Sequence, residues 1–353
     1  MNIAFVLSTL DNSGPFIVAR DIINNIVGEV NVHIYYLKDS QTKLEFNAPT
    51  TKIRLRKKTD FSNYDIVHSH GFIADCYCYL NRNTIKKCVT TLHQEIKPQY
   101  SLNYNKIIGA QLEKIWLRFI RNNDRIITLS ECMCLYYQAR LKTSNIVFVH
   151  NGIRPAKQNL APVKEFEEIL SLKNNYKILG VSASLTYRKG IDQVINALYL
   201  DAGKNYALLV IGDGGEKEQL MALAKKLNVE DRCLFIGHKT NAINYFQYFD
   251  IYVMCSRLEA FGLCVIEAAS QKVPLVCSDL PIFEEIFNPS EIVTYKLDNI
   301  SSLLNSIQKA DKDKGTLSEK AYLAYINKYT DKIMTENYLK QYKALYISHK
   351  TSN

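Results

Sequence analysis

The run Ala207-Leu208-Leu209-Val210-Ile211, apolar without a polar break, is the feature that most restricts how this chain can fold. A strand with one wet face alternates apolar and polar residues. An unbroken run suits a strand covered on both faces, as in a parallel sheet packed between helices. Similar runs recur along the chain, each followed by a helical stretch. Strands are expected at Ile3 to Leu7, His33 to Leu37, Ile53 to Arg56, Ile66 to His68, Cys88 to Leu92, Arg125 to Leu129 and Ile146 to His150. A second series is expected at Ile178 to Ser182, Ala207 to Ile211, Cys233 to Ile236, Ile251 to Cys255, Pro274 to Cys277 and Ile292 to Tyr295. Strand–helix alternation in two series predicts an α/β chain of two doubly wound, Rossmann-like domains. A length of 353 residues also exceeds what one core usually organises. The boundary is expected at Asn151-Gly152-Ile153-Arg154-Pro155, and the tail from Leu317 to Ile347 reads as two amphipathic helices. Ligands of such sheets bind beyond the carboxyl ends of the strands, so polar residues just after strands count for most.

Charge is uneven along the chain. Met1 to Pro155 holds 20 Lys and Arg against 12 Asp and Glu, while the remainder holds 24 against 23. A basic first half suits an anionic membrane, a pyrophosphate-linked lipid or nucleic acid, and equally a solvated basic face. The stretch Tyr100 to Arg121 adds Ile107, Ile108, Leu112, Ile115, Trp116, Phe119 and Ile120 to Lys106, Lys114, Arg118 and Arg121. Such a basic amphipathic helix can lie in a membrane interface or pack its apolar stripe into the domain. The nine cysteines form no C-x-x-C and have no His at zinc-ligand spacing, so reduced core residues of a cytoplasmic protein are expected. No signal peptide or transmembrane helix is expected. Asp311-Lys312-Asp313 forms a D-x-D, read as part of a charge-mixed loop away from any strand end and not as a metal site.

The chemistry concentrates in Glu259-Ala260-Phe261-Gly262-Leu263-Cys264-Val265-Ile266-Glu267, which follows one expected strand and opens a helix. A helix N-terminus offers free N–H groups and positive dipole, a seat for a diphosphate. Taken alone, Glu259 and Glu267 read equally as acids satisfying the helix dipole. Their setting adds meaning. Ser256-Arg257-Leu258-Glu259-Ala260-Phe261-Gly262, with Glu267-Ala268-Ala269 and Pro274, resembles the E-x7-E region of retaining family 4 glycosyltransferases of the GT-B fold. Ser13-Gly14-Pro15 resembles the first glycine-rich loop of that family, although Ser13 replaces a usual glycine. Asp65 to His70 and Thr91-Leu92-His93 resemble its two histidine-bearing strand ends. Asn151-Gly152-Ile153 resembles the hinge, Arg188-Lys189-Gly190 the basic turn, and Val210 to Gly214 the strand and turn near the nucleotide. Ser184 stands where an Arg is usual, Lys272 where a glycine is common, and Leu280-Pro281 replaces a glycine pair.

The resemblance implies two domains facing each other across a cleft. Residues 1–153 form the acceptor side, with a helix over 330–353 packing back on it, and 154–329 bind the donor. It implies a retaining glycosyltransferase that moves a sugar from a nucleoside-diphosphate sugar, uridine-linked, to a glycan or lipid-linked acceptor in bacterial surface polysaccharide or lipopolysaccharide synthesis. Glu259, Lys189 and His93 are implied as the catalytic set. Gly14, Ser184, Arg188, Gly212, Gly237, His238, Phe261, Gly262, Leu263 and Glu267 are implied around the donor, and His70 toward the acceptor. Lys189 and Arg188 would stabilise the departing phosphate's charge, and Gly14 would let backbone N–H groups approach the diphosphate. No cofactor, metal or nucleic-acid partner is expected. Peripheral attachment to the inner face of an anionic membrane is. A dehydrogenase is disfavoured because no G-x-G-x-x-G joins the first strand to its helix. An epimerase of the same architecture, or an inactive relative serving as a scaffold, stays open.

Overall fold

A computed structural model describes residues 1–40, 43–155 and 164–350. The chain divides into two units, Met1–Arg154 with the segment from Tyr329 onward, and Pro155–Lys328. In the first unit the strands are β1 (Asn2–Thr9), β2 (Asn31–Lys38), β3 (Thr50–Lys52), β4 (Ile66–His70), β5 (Cys88–Leu92), β6 (Arg125–Thr128) and β7 (Ile146–Phe148). In the second they are β8 (Lys177–Ser182), β9 (Tyr206–Ile211), β10 (Cys233–Phe235), β11 (Ile251–Met254), β12 (Leu275–Ser278) and β13 (Val293–Tyr295). The sheets run in the orders β3-β2-β1-β4-β5-β6-β7 and β10-β9-β8-β11-β12-β13. Every strand pairing is parallel. Each sheet is therefore doubly wound, and its order reverses between β1 and β4, or between β8 and β11. Such switch points open a crevice at the carboxyl ends of the strands.

Burial explains the pattern. All residues of β4, β5, β9, β11 and β12 are buried, so these strands are covered on both faces. The expected strand at Ile53 to Arg56 is not formed. The edge strand ends at Lys52, and Ile53 donates one last backbone hydrogen bond to the Tyr36 carbonyl before a turn. Ile53 packs into the core, but Leu55 is exposed, so the apolar alternation there does not mark one buried face.

The expected boundary at Asn151 to Pro155 is where the two units divide, and there the chain is tied to the returning tail. Ile153 bridges Thr330, and a Cβ on Gly152 would stand 2.1 Å from the Thr330 carbonyl oxygen. Close approach of the returning chain is what requires glycine here. The two tail helices are Lys314–Lys328, in the second unit, and Asp331–Lys350, in the first. Tyr338 and Tyr342 of the latter are fully buried against the first sheet.

The D-x-D is also not in a loop. Asp311 and Lys312 end the helix Ile300–Lys312, and the Asp311 carboxylate accepts from Lys177 Nζ at 2.6 Å and from the Tyr206 hydroxyl at 3.1 Å. Among the described residues no disulfide joins any of the nine cysteines. Among the described residues, no helix is long and apolar enough to cross a membrane.

The stretch Tyr100 to Arg121 breaks at Tyr104 and Asn105 into the helices Ile96–Asn103 and Lys106–Ile120. Asn105 caps the second, accepting from the amides of Ile107 and Ile108. Trp116 is only 5% exposed and donates its indole N–H to Asp75 at 2.6 Å. It is an internal anchor, not a membrane-facing residue. The hydroxyls of Ser69 and Thr90 complete a three-donor cage around the same carboxylate. Burial pushes the Asp75 carboxyl up to about 6 against the opposing pull of these hydrogen bonds. Ile120 is buried too, whereas Ile107, Ile108 and Ile115 are exposed, with Leu102 and Tyr104 beside them in sequence.

Candidate functional site

Two loops meet at the switch point of the second sheet. The first leaves β8 through Ser184 and closes in a short 3-10 turn, Tyr187–Lys189, followed by Gly190. The second leaves β11 through Cys255 to Gly262 and enters the helix Leu263–Ser270, whose first turn has no side-chain cap. Gly190 has φ +66°, and a Cβ there would lie 2.0 Å from the Cys255 carbonyl oxygen, so only glycine lets the loops touch.

The contact is reinforced from several sides. Gln193 donates to the carbonyls of Gly190 and Cys255 at 3.3 and 2.9 Å, while its own amide oxygen accepts from the Tyr295 hydroxyl and the Asp298 amide. The Arg257 amide donates to the Arg188 carbonyl at 2.7 Å. Its guanidinium grips Asp192 through two bonds of 2.9 and 2.7 Å, reaches Asp298 and the Tyr187 carbonyl, and lies 4.2 Å from the Tyr187 ring centre. Planar bidentate pairing of this kind fixes orientation as well as charge.

So braced, the loops bring Glu259 to both basic residues of the turn. Lys189 Nζ lies 3.2 and 2.9 Å from the two carboxylate oxygens, and Arg188 donates to Glu259 Oε2 at 3.1 Å and to the Leu258 carbonyl at 2.9 Å. The side chains of Lys189 and Glu259 are each only 12% exposed. Burial pushes the Glu259 carboxyl up, but Lys189 and Arg188 outweigh it and hold the group below its ordinary range. The Glu259 carboxyl is thus held in its ionised form, and two basic side chains against one acid give the cluster a formal charge of one positive. Glu267, one helical turn on, is half-buried, and burial raises its carboxyl despite a hydrogen bond from the Cys264 thiol.

The remaining expected donor residues spread around this cluster. Phe261 is buried, Gly262 caps the helix and Leu263 begins it. Gly212 follows β9 and donates its amide to the Gly237 carbonyl at 2.9 Å, which joins the ends of β9 and β10. Leu185, beside Ser184, bonds back to the Asp213 carbonyl at 2.9 Å, so the loop after β8 is tied to the same rim. Ser184 and His238 are exposed.

In the first unit, Gly14 opens the helix Gly14–Ile26 just after β1. The Ser13 hydroxyl is turned to Asp11 at 2.7 Å and does not cap that helix. His70 ends β4 and His93 follows β5, and these neighbouring strands bring the rings together, with His70 Nδ1 2.9 Å from His93 Nε2. His70 is fully buried and packs on His68 and Phe5. So buried, His70 meets the His93 ring and is not open to solvent. Burial lowers all three histidines, His68 and His93 to about 3 and His70 well below its ordinary value.

Sequence reasoning gave Arg257, Gln193 and Asp192 no role. An Arg two residues before Glu259 was the available signal. Its partners Asp192 and Asp298 lie 65 and 41 residues away, and no local pattern points to them.

Comparison with known proteins places both units. Residues 15–157 match the family described as Glycosyltransferase Family 4, and residues 163–328 match the one described as Glycosyl transferases group 1. The O-antigen biosynthesis glycosyltransferase WclY of Escherichia coli is 28% identical over 98% of this chain and 99% of its own length. Among solved structures, Anabaena Alr3699/HepE in complex with UDP and glucose aligns with a TM-score of 0.83 at 16% identity, covering 98% of this chain and 100% of that one. Sucrose-phosphate synthase from Thermosynechococcus elongatus aligns with a TM-score of 0.80 at 17% identity, covering 98% and 99%.

Proposed function

The chain belongs to the family 4, group 1 glycosyltransferases of GT-B architecture, and from that premise we propose that it transfers a sugar, with retention, from a UDP-linked donor to a glycan or lipid-linked acceptor of O-antigen or related surface-polysaccharide synthesis. The observation that carries the reading is the contact of Glu259 with Lys189 and Arg188 at the switch point of the second sheet. Breaking a sugar–diphosphate bond leaves negative charge on the departing phosphate. Two cations held in place before reaction stabilise that charge with little reorganisation. Glu259 has a second task. Its Oε1 accepts from Lys189 at 3.2 Å, and a carboxylate oxygen has a second lone pair, proposed here to orient a sugar hydroxyl. A carboxylate already shared between two cations is a poor covalent nucleophile, which favours departure and attack on one face of the sugar.

Glu267 is proposed to accept from the ribose. Ser184, Gly212, Gly237 and His238 are proposed around the nucleotide, with Phe261, Gly262 and Leu263 shaping the helix entry. Gly14 is proposed to admit the diphosphate, and His93 to contact the donor sugar or its phosphate. The similarity to WclY, an O-antigen glycosyltransferase, and to HepE, solved with UDP and glucose, supports the acceptor class and the nucleotide. We also propose attachment to the inner face of an anionic membrane through the exposed Leu102, Tyr104, Ile107, Ile108 and Ile115 with nearby Lys106, Lys114 and Arg118. No cofactor or metal enters this mechanism.

The test is a thermal-shift screen of the purified chain against UDP-, GDP- and ADP-sugars, followed by nucleotide release and product analysis. Stabilisation by UDP-sugars, with turnover lost in Glu259→Ala and Lys189→Ala, is expected. Unchanged rates in both variants, or conversion of the donor into an epimer without acceptor, would overturn the reading.

A further inference from the structure

The histidine pair of the first unit has an asymmetry that decides where its protons lie. His70 Nδ1 and His93 Nε2 are 2.9 Å apart, and His70 Nε2 is buried with no hydrogen-bond partner among the described residues. Both rings are neutral, so each has one N–H and one lone pair. If the His70 proton sat on Nε2, a buried N–H donor would be left unmet, an arrangement folded proteins rarely tolerate. If it sits on Nδ1, it is donated to His93, and only a lone pair is left facing the core. The second arrangement is preferred.

We infer that His70 is a positioning residue that locks His93 in the Nδ1–H tautomer, so that His93 presents a hydrogen-bond donor to its ligand. His93 Nε2 is occupied as an acceptor, and its own proton must therefore be on Nδ1. Among the described residues no hydrogen bond engages that nitrogen, and it is not one of the buried unpartnered atoms. The lock is braced. His68, two residues before His70 on the same face of β4, bonds the Tyr342 hydroxyl through Nδ1 at 2.7 Å and Thr91 Oγ1 through Nε2 at 2.9 Å. Thr91 Oγ1 also meets the Tyr338 hydroxyl at 3.2 Å. His68 has both nitrogens satisfied, so the unmet position belongs to His70 alone. A neutral N–H donor suits a phosphate or sugar oxygen that gains negative charge, and it excludes general-base work by His93 in this state.

The ligand assignment rests on the glycosyltransferase reading, but the tautomer does not, and the experiment separates them. The full chain labelled with 15N-histidine is examined without ligand by long-range 1H–15N correlation, His93 being assigned by the loss of its signals in His93→Asn. The expected result is a protonated Nδ1 and an unprotonated Nε2. In His70→Leu the His93 signals should move to a mixture of tautomers. In His70→Asn, whose amide nitrogen occupies nearly the place of Nδ1, the Nδ1–H form should return. With UDP-glucose as probe, His70→Leu should lower kcat by about tenfold, the worth of one neutral hydrogen bond in the transition state. KM should change less, and His70→Asn should recover part of the loss. A protonated Nε2 on His93 in the wild type overturns the inference. So does an unchanged Nδ1–H signal in His70→Leu. Should that variant fail to fold, the wild-type spectrum and His70→Asn decide alone: Nδ1–H in both supports the lock, and any other result refutes it. Lack of UDP-glucose turnover with the expected spectra would count against the donor assignment and leave the lock standing.

Discussion

Neutralising Glu259 while leaving its shape, as in Glu259→Gln, strips the carboxylate from three short contacts at once, two from Lys189 and one from Arg188. Arg188 keeps the Leu258 carbonyl, but among the described residues Glu259 is the one acceptor of the Lys189 ammonium. Breaking a fully buried ion pair costs about 3–5 kcal/mol. Side chains here are 12% exposed, so partial hydration lowers the expected cost to roughly 1.5–3 kcal/mol. For a unit of this size that is a fall in Tm of roughly 3–10 °C, read by calorimetry on the ligand-free chain. Lys189→Met should cost a similar amount, because it leaves Glu259 with one cation.

The double variant Lys189→Met/Glu259→Gln should regain at least about 1 kcal/mol over the sum of the single losses, since neither partner is then left charged and unpaired. Turnover should behave oppositely. Each single variant is expected to lose roughly a hundred- to a thousandfold, and the double should recover none of it, because the leaving group still meets no Lys189. Additive stabilities with little loss in either single variant would refute the claim that this ion pair braces the site. Recovered turnover in the double would show that the two residues act only through the fold.

Three further outcomes follow from the same structure. Gly190→Ala should be destabilised by about 2–4 kcal/mol and should lose activity, because its Cβ meets the Cys255 carbonyl and its φ is positive; wild-type Tm and turnover would refute this. Asp75, with a carboxyl raised to about 6 in the fold against an ordinary 3.8, binds more protons folded than unfolded between those values. Its contribution to stability should therefore fall as pH rises from about 4 to about 6 and level off above; the Tm difference between wild type and Asp75→Asn, measured against pH, should show that slope. Ile107→Asp with Ile115→Asp should weaken flotation with anionic liposomes by about tenfold or more without changing Tm, since both side chains are exposed. Equal flotation with neutral and anionic lipid would remove the membrane proposal.

The sequence by itself determined the sheets. Runs such as Ala207 to Ile211 are buried on both faces wherever they are placed, and that local requirement is met by a parallel, helix-covered sheet. It also placed Glu259 and Lys189 just after strands, where a doubly wound sheet opens. It could not decide pairings between distant residues. Ile53 to Arg56 has the alternation of a strand, yet the edge it would extend ends at Lys52. Trp116 has the look of a membrane anchor, yet Asp75, 41 residues earlier, draws its indole inward. His70 ends a strand as a candidate ligand would, but β5 beside it and the tyrosines from the last helix bury the row of histidines. Most of all, Glu259 and Lys189 are 70 residues apart, and each alone reads as an ordinary surface charge. Strand order makes them neighbours by setting β11 beside β8. Periodicity acts over a few residues and is written in the chain. Charge pairing acts in space, and only the assembled sheet brings those charges within reach.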